Sequence, residues 1–220
     1  MQLMGIEEHC TDPDIEQDCR SQITRQAPYM QHLQLPSPAA QHISSTNHQA
    51  QKLTQAPCLD EPRVAQMDGC GIDVQIVYYS SPTQFAPATE AAELAAKAND
   101  RLALACQAFP GRFYGFATLP WQNATAAAAE LERAVHLLSM KGAMIIGRPS
   151  DSFPDNNQYE PVLRKFSELK VPLCVHPFAP MLNVQESYYA GLEPAISAAF
   201  SLGGWGWHHE AGIQVLRMLL

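Results

Sequence analysis

From residue 60 onward, β-rich apolar runs alternate with Ala- and Leu-rich helical stretches, and this alternation restricts the fold more than any single motif. Strands are expected at residues 72–79, 113–119, 143–146 and 171–177, and helices at 61–69, 90–108, 124–138 and 161–169. Each boundary has a local cause. Ser80-Ser81-Pro82 stops the first of these strands, Pro110-Gly111 ends the long helix, Pro120 closes the next strand and Asn123 is placed to cap the helix after it. Strands that alternate with helices at this spacing lie parallel, joined by right-handed crossovers with the helices packed on the sheet. A further strand opens the chain and ends near His9. Five strands suit an open doubly wound sheet, although no Gly-rich phosphate loop follows any of them. They also suit part of a (β/α)8 barrel, which needs eight strands and commonly about 250 residues.

Composition narrows the function classes. The chain has 220 residues, 46% of them apolar, enough to bury a core, and it reads as one domain over residues 1–220. Fourteen Lys and Arg stand against 22 Asp and Glu, a formal charge of −8 without any basic run, so phosphate attraction is missing and no nucleic-acid partner is expected. No stretch approaches the roughly 18 to 20 apolar residues of a membrane span, and Glu7, Glu8 and His9 interrupt the start where a signal peptide would be apolar. Six cysteines are scattered without a C-x-x-C pair, which fits free thiols in a reducing, cytoplasmic setting better than a zinc knuckle or a disulfide framework. Residues 12–57 read as an irregular Gln- and Pro-rich segment, with nine glutamines between Gln17 and Gln55 and little periodic apolar surface to offset ordering entropy. At the other end, residues 211–220 form an amphipathic helical pattern with no cap and two terminal leucines, the pattern expected of the front of a longer protein.

Two places are candidates for metal chemistry. In Ile6-Glu7-Glu8-His9 the period-two alternation of a strand turns Glu7 and His9 to one face and Glu8 to the other. A carboxylate and an imidazole two residues apart can share one divalent ion. The plainer reading is an exposed acidic N-terminus with a solvated histidine. His176 ends an apolar strand, expected to be buried on both faces, immediately before Pro177; a lone buried histidine is otherwise a hydrogen-bonded core residue. Jointly, Glu7, His9 and His176 supply three ligands at the C-terminal ends of strands. Two further residues could hold substrate. Arg148, after residues 143–146, could pair its planar fork with a carboxylate, and Trp207, in the cluster Trp205, Trp207, His208, His209 and Glu210, could line a pocket for a flat acid. A solvated loop arginine and a packed loop are the bland alternatives.

Seven blocks in order resemble the decarboxylase branch of the amidohydrolase superfamily: I-E-E-H at the start, M-D-G-C-G-I-D-V-Q from Met67, A-N-D-R-L-A from Ala98, F-P-G-R-F-Y-G-F-A-T-L-P from Phe109, E-L-E-R-A-V from Glu130, K-G-A from Lys141 and V-P-L-C-V-H-P from Val171. The resemblance implies a partial (β/α)8 barrel of about five strands. It implies one divalent metal, zinc or manganese, on Glu7, His9 and His176. The reaction implied is non-oxidative decarboxylation of a small aromatic or conjugated acid such as a hydroxybenzoate, in a homo-oligomer when full length. Family members complete the site with an Asp after strand eight and use a His after strand six in catalysis. Neither strand falls within these residues, so the catalytic residue is unassigned and impaired turnover is expected of this chain. A metal-dependent hydrolase on the same scaffold and a non-catalytic fragment are the alternatives.

Overall fold

A computed structural model describes residues 2–34 and 59–220. Three parallel strands lie in the order β1 (Met4–Cys10), β2 (Val74–Tyr79) and β3 (Phe113–Gly115), and two more, β4 (Ala143–Ile146) and β5 (Leu173–His176), pair parallel beside them. A bridge between Ala117 and Ala143 joins the two groups, with Ala117 N–H donating to the Gly142 carbonyl (2.9 Å) and Met144 N–H to the Ala117 carbonyl (3.0 Å). Spatial order therefore follows chain order from β1 to β5, whereas a doubly wound sheet would set β1 in the middle. The sheet also curls. Four strand spacings in a flat sheet would separate β1 from β5 by about 19 Å, yet the His9 and His176 rings lie 5.2 Å apart. This is the arc of a (β/α)8 barrel.

Helices follow the strands on the outside: α1 (Pro13–Gln26), α2 (Glu61–Cys70), α3 (Ala91–Ala108), α4 (Ala124–His136) and α5 (Glu160–Leu169). Then come α6 (Leu182–Tyr189), α7 (Pro194–Ala199) and α8 (Gly206–Leu219). Small residues face the sheet where helices approach closely: Ala91, Ala95 and Ala98 of α3 and Ala127 and Ala134 of α4 are buried, with Leu102 and Leu131 filling the layer. Asn123 does cap α4, its side chain accepting from Ala126 N–H. Among the described residues no helix is long and apolar enough to cross a membrane.

Two expectations need correction, and a third becomes specific. Within the irregular Gln- and Pro-rich segment, whose composition admits a short helix, residues 13–26 form α1; residues 35–57 of it lie outside the described residues. Two apolar positions one turn apart suffice for α1, because Ile15 and Cys19 are fully buried, and its first turn is well capped. Asp12 accepts from Asp14 and Ile15 N–H (3.1 and 3.2 Å) and also pairs with Arg101 of α3. The strand read over 113–119 is shorter, since after Phe116 N–H bonds to Val77 the chain leaves β2 and bonds to β4 instead. Finally, Leu173, Cys174 and Val175 are half-buried instead of covered on both faces, because among the described residues β5 has a paired strand on one side only.

The β4–β5 joint is tight at Gly142, where an added Cβ would sit 2.4 Å from the Pro172 carbonyl oxygen. Gly142→Ala should therefore destabilise the protein by about 1–3 kcal/mol, the usual range for overpacking, measured by urea denaturation. Asp12→Ala should cost about 1–2 kcal/mol through the lost cap, whereas Asp12→Asn, which keeps a capping oxygen, should cost less in the same titration. Equal losses for the two variants would show that the Arg101 ion pair, not the cap, holds α1.

Candidate metal centre

The site is built where β1 and β5 end. β1 carries one extra residue relative to β2, since Gly5 pairs with Gln75 but Glu8 with Val77, three positions along β1 against two along β2. Such a bulge re-aims side chains. Here Glu8 turns outward to Arg63, while Glu7, His9 and His176 converge, one ligand-type atom from each lying within 4.8 Å of the others. Among the described residues no other group of His, Cys, Asp and Glu side chains does so. Glu7 Oε1 is 3.6 Å from His176 Nε2. Glu7 is exposed, His9 half-buried and His176 buried at 8% exposure.

Neighbours fix the two imidazoles. His176 Nδ1–H donates to the Pro177 carbonyl at 2.7 Å, which leaves Nε2 with its lone pair turned toward Glu7. Burial lowers the pKa of His176, against the opposing influence of that carbonyl and of Glu7. The His9 pKa is lowered to about 4, first by burial and then by His176 and Arg63. Both rings are thus neutral near pH 7 and offer lone pairs without first losing a proton. His9 Nε2 meets the Tyr78 hydroxyl at 2.9 Å, and burial keeps that phenol protonated. His9 Nδ1 is buried with no hydrogen-bond partner, an arrangement that typically costs about 1–3 kcal/mol. A carboxylate and two neutral imidazoles, one from each of three residues within this span, make a donor set that fits a divalent cation.

The two residues read as substrate contacts occupy different surroundings. Trp207 of α8 stands edge-on to His176, ring centroids 5.6 Å apart, and so borders the cluster. Arg148 is only 5% exposed, which rules out the solvated-loop alternative, and its guanidinium is ion-paired with Glu210 of α8 while Nε has no partner. Arg148 lines a cleft of about 530 Å³ together with Asp151, Pro180 and Met181, and Glu7, His9 and His176 are not in its wall. Sequence reasoning missed Tyr78 and Arg63. Tyr78 was findable, because it pairs in register with His9 near the end of the neighbouring strand. Arg63 gave no such signal: it lies on an outer helix, and its partners are 12 to 55 positions away.

Comparison with known proteins agrees with this geometry. The family described as Amidohydrolase matches residues 31–220. Decarboxylase orsB of Emericella nidulans is 33% identical over 162 residues, 73% of this chain and 48% of the relative. The γ-resorcylate decarboxylase of a Polaromonas species is 34% identical over 170 residues, 73% of this chain and 50% of the relative. The chain thus spans about half the length of the curated relatives it matches. Among solved structures, a 5-carboxyvanillate decarboxylase from Novosphingobium aromaticivorans, complexed with manganese and 4-hydroxy-3-methoxy-5-nitrobenzoic acid, superposes with a TM-score of 0.79 at 29% identity, covering 99% of this chain and 60% of that one. A 2,6-dihydroxybenzoate decarboxylase from Rhizobium gives 0.75 at 27% identity, covering 99% and 61%. Ordered motifs, a parallel barrel arc and these likenesses agree: the chain belongs to the amidohydrolase family.

Proposed function

We propose that this chain carries the metal-binding part of a non-oxidative decarboxylase of small aromatic acids, with Glu7, His9 and His176 as ligands of one divalent ion. The observation that carries the reading is the convergence of those three side chains within 4.8 Å at the C-terminal ends of two strands, the face where barrel active sites are built. Manganese is favoured over zinc, since solved relatives hold it beside hydroxylated nitroaromatic ligands. A bound divalent ion would supply positive charge for a substrate carboxylate and an adjacent hydroxyl.

In the reaction the bond from the ring to the carboxyl carbon breaks, carbon dioxide leaves, and the electron pair stays on the ring carbon, which takes up a proton. No electron is gained or lost overall, so no redox cofactor is required. The half-buried indole of Trp207, against His176, offers a flat wall for an aromatic ring. Arg148 stays paired with the Glu210 carboxylate, its Nε is buried, and the cleft it lines does not include Glu7, His9 or His176, so it is left out of the contacts to a substrate carboxylate at the metal. Tyr78, held protonated, can donate a hydrogen bond in the same enclosure. The reading extends to a homo-oligomer when full length and to a cytoplasmic setting, the latter supported by the free thiols of Cys19, Cys70, Cys106 and Cys174, which suit a reducing compartment.

Two measurements test this. Titration with Mn²⁺, followed by loss of the free-ion electron paramagnetic resonance signal, should give one site per chain, and Glu7→Ala or His176→Ala should weaken it at least about tenfold. Binding that survives both substitutions unchanged removes the ligand assignment. Manganese-loaded protein supplied with 2,6-dihydroxybenzoate or 5-carboxyvanillate should release carbon dioxide well below the roughly 1 s⁻¹ at the low end of enzyme rates, and His176→Ala should abolish what release there is. Hydrolysis of a lactone or amide substrate without carbon dioxide would move the assignment to a hydrolase.

A further inference from the structure

The back of β1 carries a polar clamp that the chemistry above does not use. Arg63 stands at the third position of α2, where the Asp60 side chain caps the helix and accepts from its N–H at 3.1 Å. Its side chain is directed at β1 and β2 and is 8% exposed. Nε–H donates to Gln75 Oε1 at 2.8 Å, Nη1–H to the main-chain carbonyl of His9 at 2.8 Å, and Nη2–H to Glu8 Oε2 at 3.5 Å. The guanidinium carbon lies 5.9 Å from the centre of the buried Phe113 ring. Gln75, itself buried on β2, anchors one edge of the fork while the other edge holds β1.

What the fork holds is the bulged end of β1, at Glu8 and at the main chain of His9. The His9 carbonyl belongs to one of them, and Glu8 separates it from the other. The Glu8 carboxylate folds back over Gly5 so closely that a Cβ there would lie 2.5 Å from Glu8 Oε1. An extra residue in a strand is left unpaired and locally disrupts the ladder, so side-chain contacts take a larger share in fixing that segment. A planar guanidinium can serve three acceptors at fixed angles, and an ammonium cannot.

We propose that Arg63 is a positioning residue for the candidate cation site, holding the His9 main chain and the Glu8 carboxylate so that the bulged end of β1 keeps Glu7 and His9 aimed at His176. This inference rests on the metal reading given above and goes beyond it, since Arg63 touches neither a ligand atom nor the space between them. Arg63→Lys keeps the charge but cannot reproduce the fork. It should weaken Mn²⁺ binding by about 10- to 100-fold, the range seen when residues that orient metal ligands are changed.

The test measures Mn²⁺ affinity together with the nitrogen couplings of bound Mn²⁺ in pulsed electron paramagnetic resonance, on wild type and Arg63→Lys. Wild type should show two imidazole couplings, and Arg63→Lys should lose or weaken one of them, a change that mere bracing of α2 would not produce. Affinity and couplings equal to wild type would overturn the inference while leaving the metal reading intact. A wild type that binds no Mn²⁺ takes both down. If Arg63→Lys does not fold, Gln75→Leu removes the anchor of the guanidinium while leaving every β1 residue and Arg63 itself in place, and should lower the affinity in the same direction; unchanged affinity in that variant overturns the proposal.

Discussion

Everything at the site depends on the parallel sheet continuing from β3 into β4. The connection is slender, a bridge between Ala117 and Ala143 with a hydrogen bond on either side of it, yet it makes a three-strand and a two-strand group into one curved surface. Curvature then does what sequence proximity cannot. Residues 9 and 176 come from the first and fifth strands and meet ring to ring because the sheet between them bends through an arc. Tight small-residue contacts, such as Gly142 against Pro172, set how closely neighbouring strands and their connections approach along that arc.

Burial shapes the electrostatics of the cluster. Removing two imidazoles from water disfavours their charged forms, and each ring then sits neutral beside an exposed carboxylate. Glu7 reaches in from the solvent side, so the charge the site would place on a cation's ligands enters from water and costs little to hold. The neutral donors come from the protected side. That division suits a centre that must exchange substrate with solvent while keeping its geometry rigid from behind.

Much of this was legible in the sequence. Period-two alternation and strand-end placement singled out Glu7, His9 and His176, and the structure brings those three together. Helix ends marked by Asn123 and Pro110-Gly111 were readable because caps and breakers act locally. Features fixed by distant partners were not. α1 depends on burying Ile15 and Cys19 under other parts of the chain, Cys19 donating to the Pro82 carbonyl 63 positions away. Arg148 looks like a solvated loop residue until Glu210, 62 positions later, is placed beside it. The bulge in β1 is likewise invisible in Ile6-Glu7-Glu8-His9 alone, since it exists only relative to the register of β2.

The edge-on contact of Trp207 with His176 gives the molecule an optical reporter of its own. An indole this near an imidazole senses whether the ring is neutral, protonated or bound to a paramagnetic ion, because each state alters quenching of its excited state. Trp121 is fully buried and Trp205 lies well exposed, so the three indoles occupy distinguishable environments. A change in charge or ligation at His176 is therefore expected to alter emission from the half-buried indole, with the other two, which do not touch that ring, as internal references.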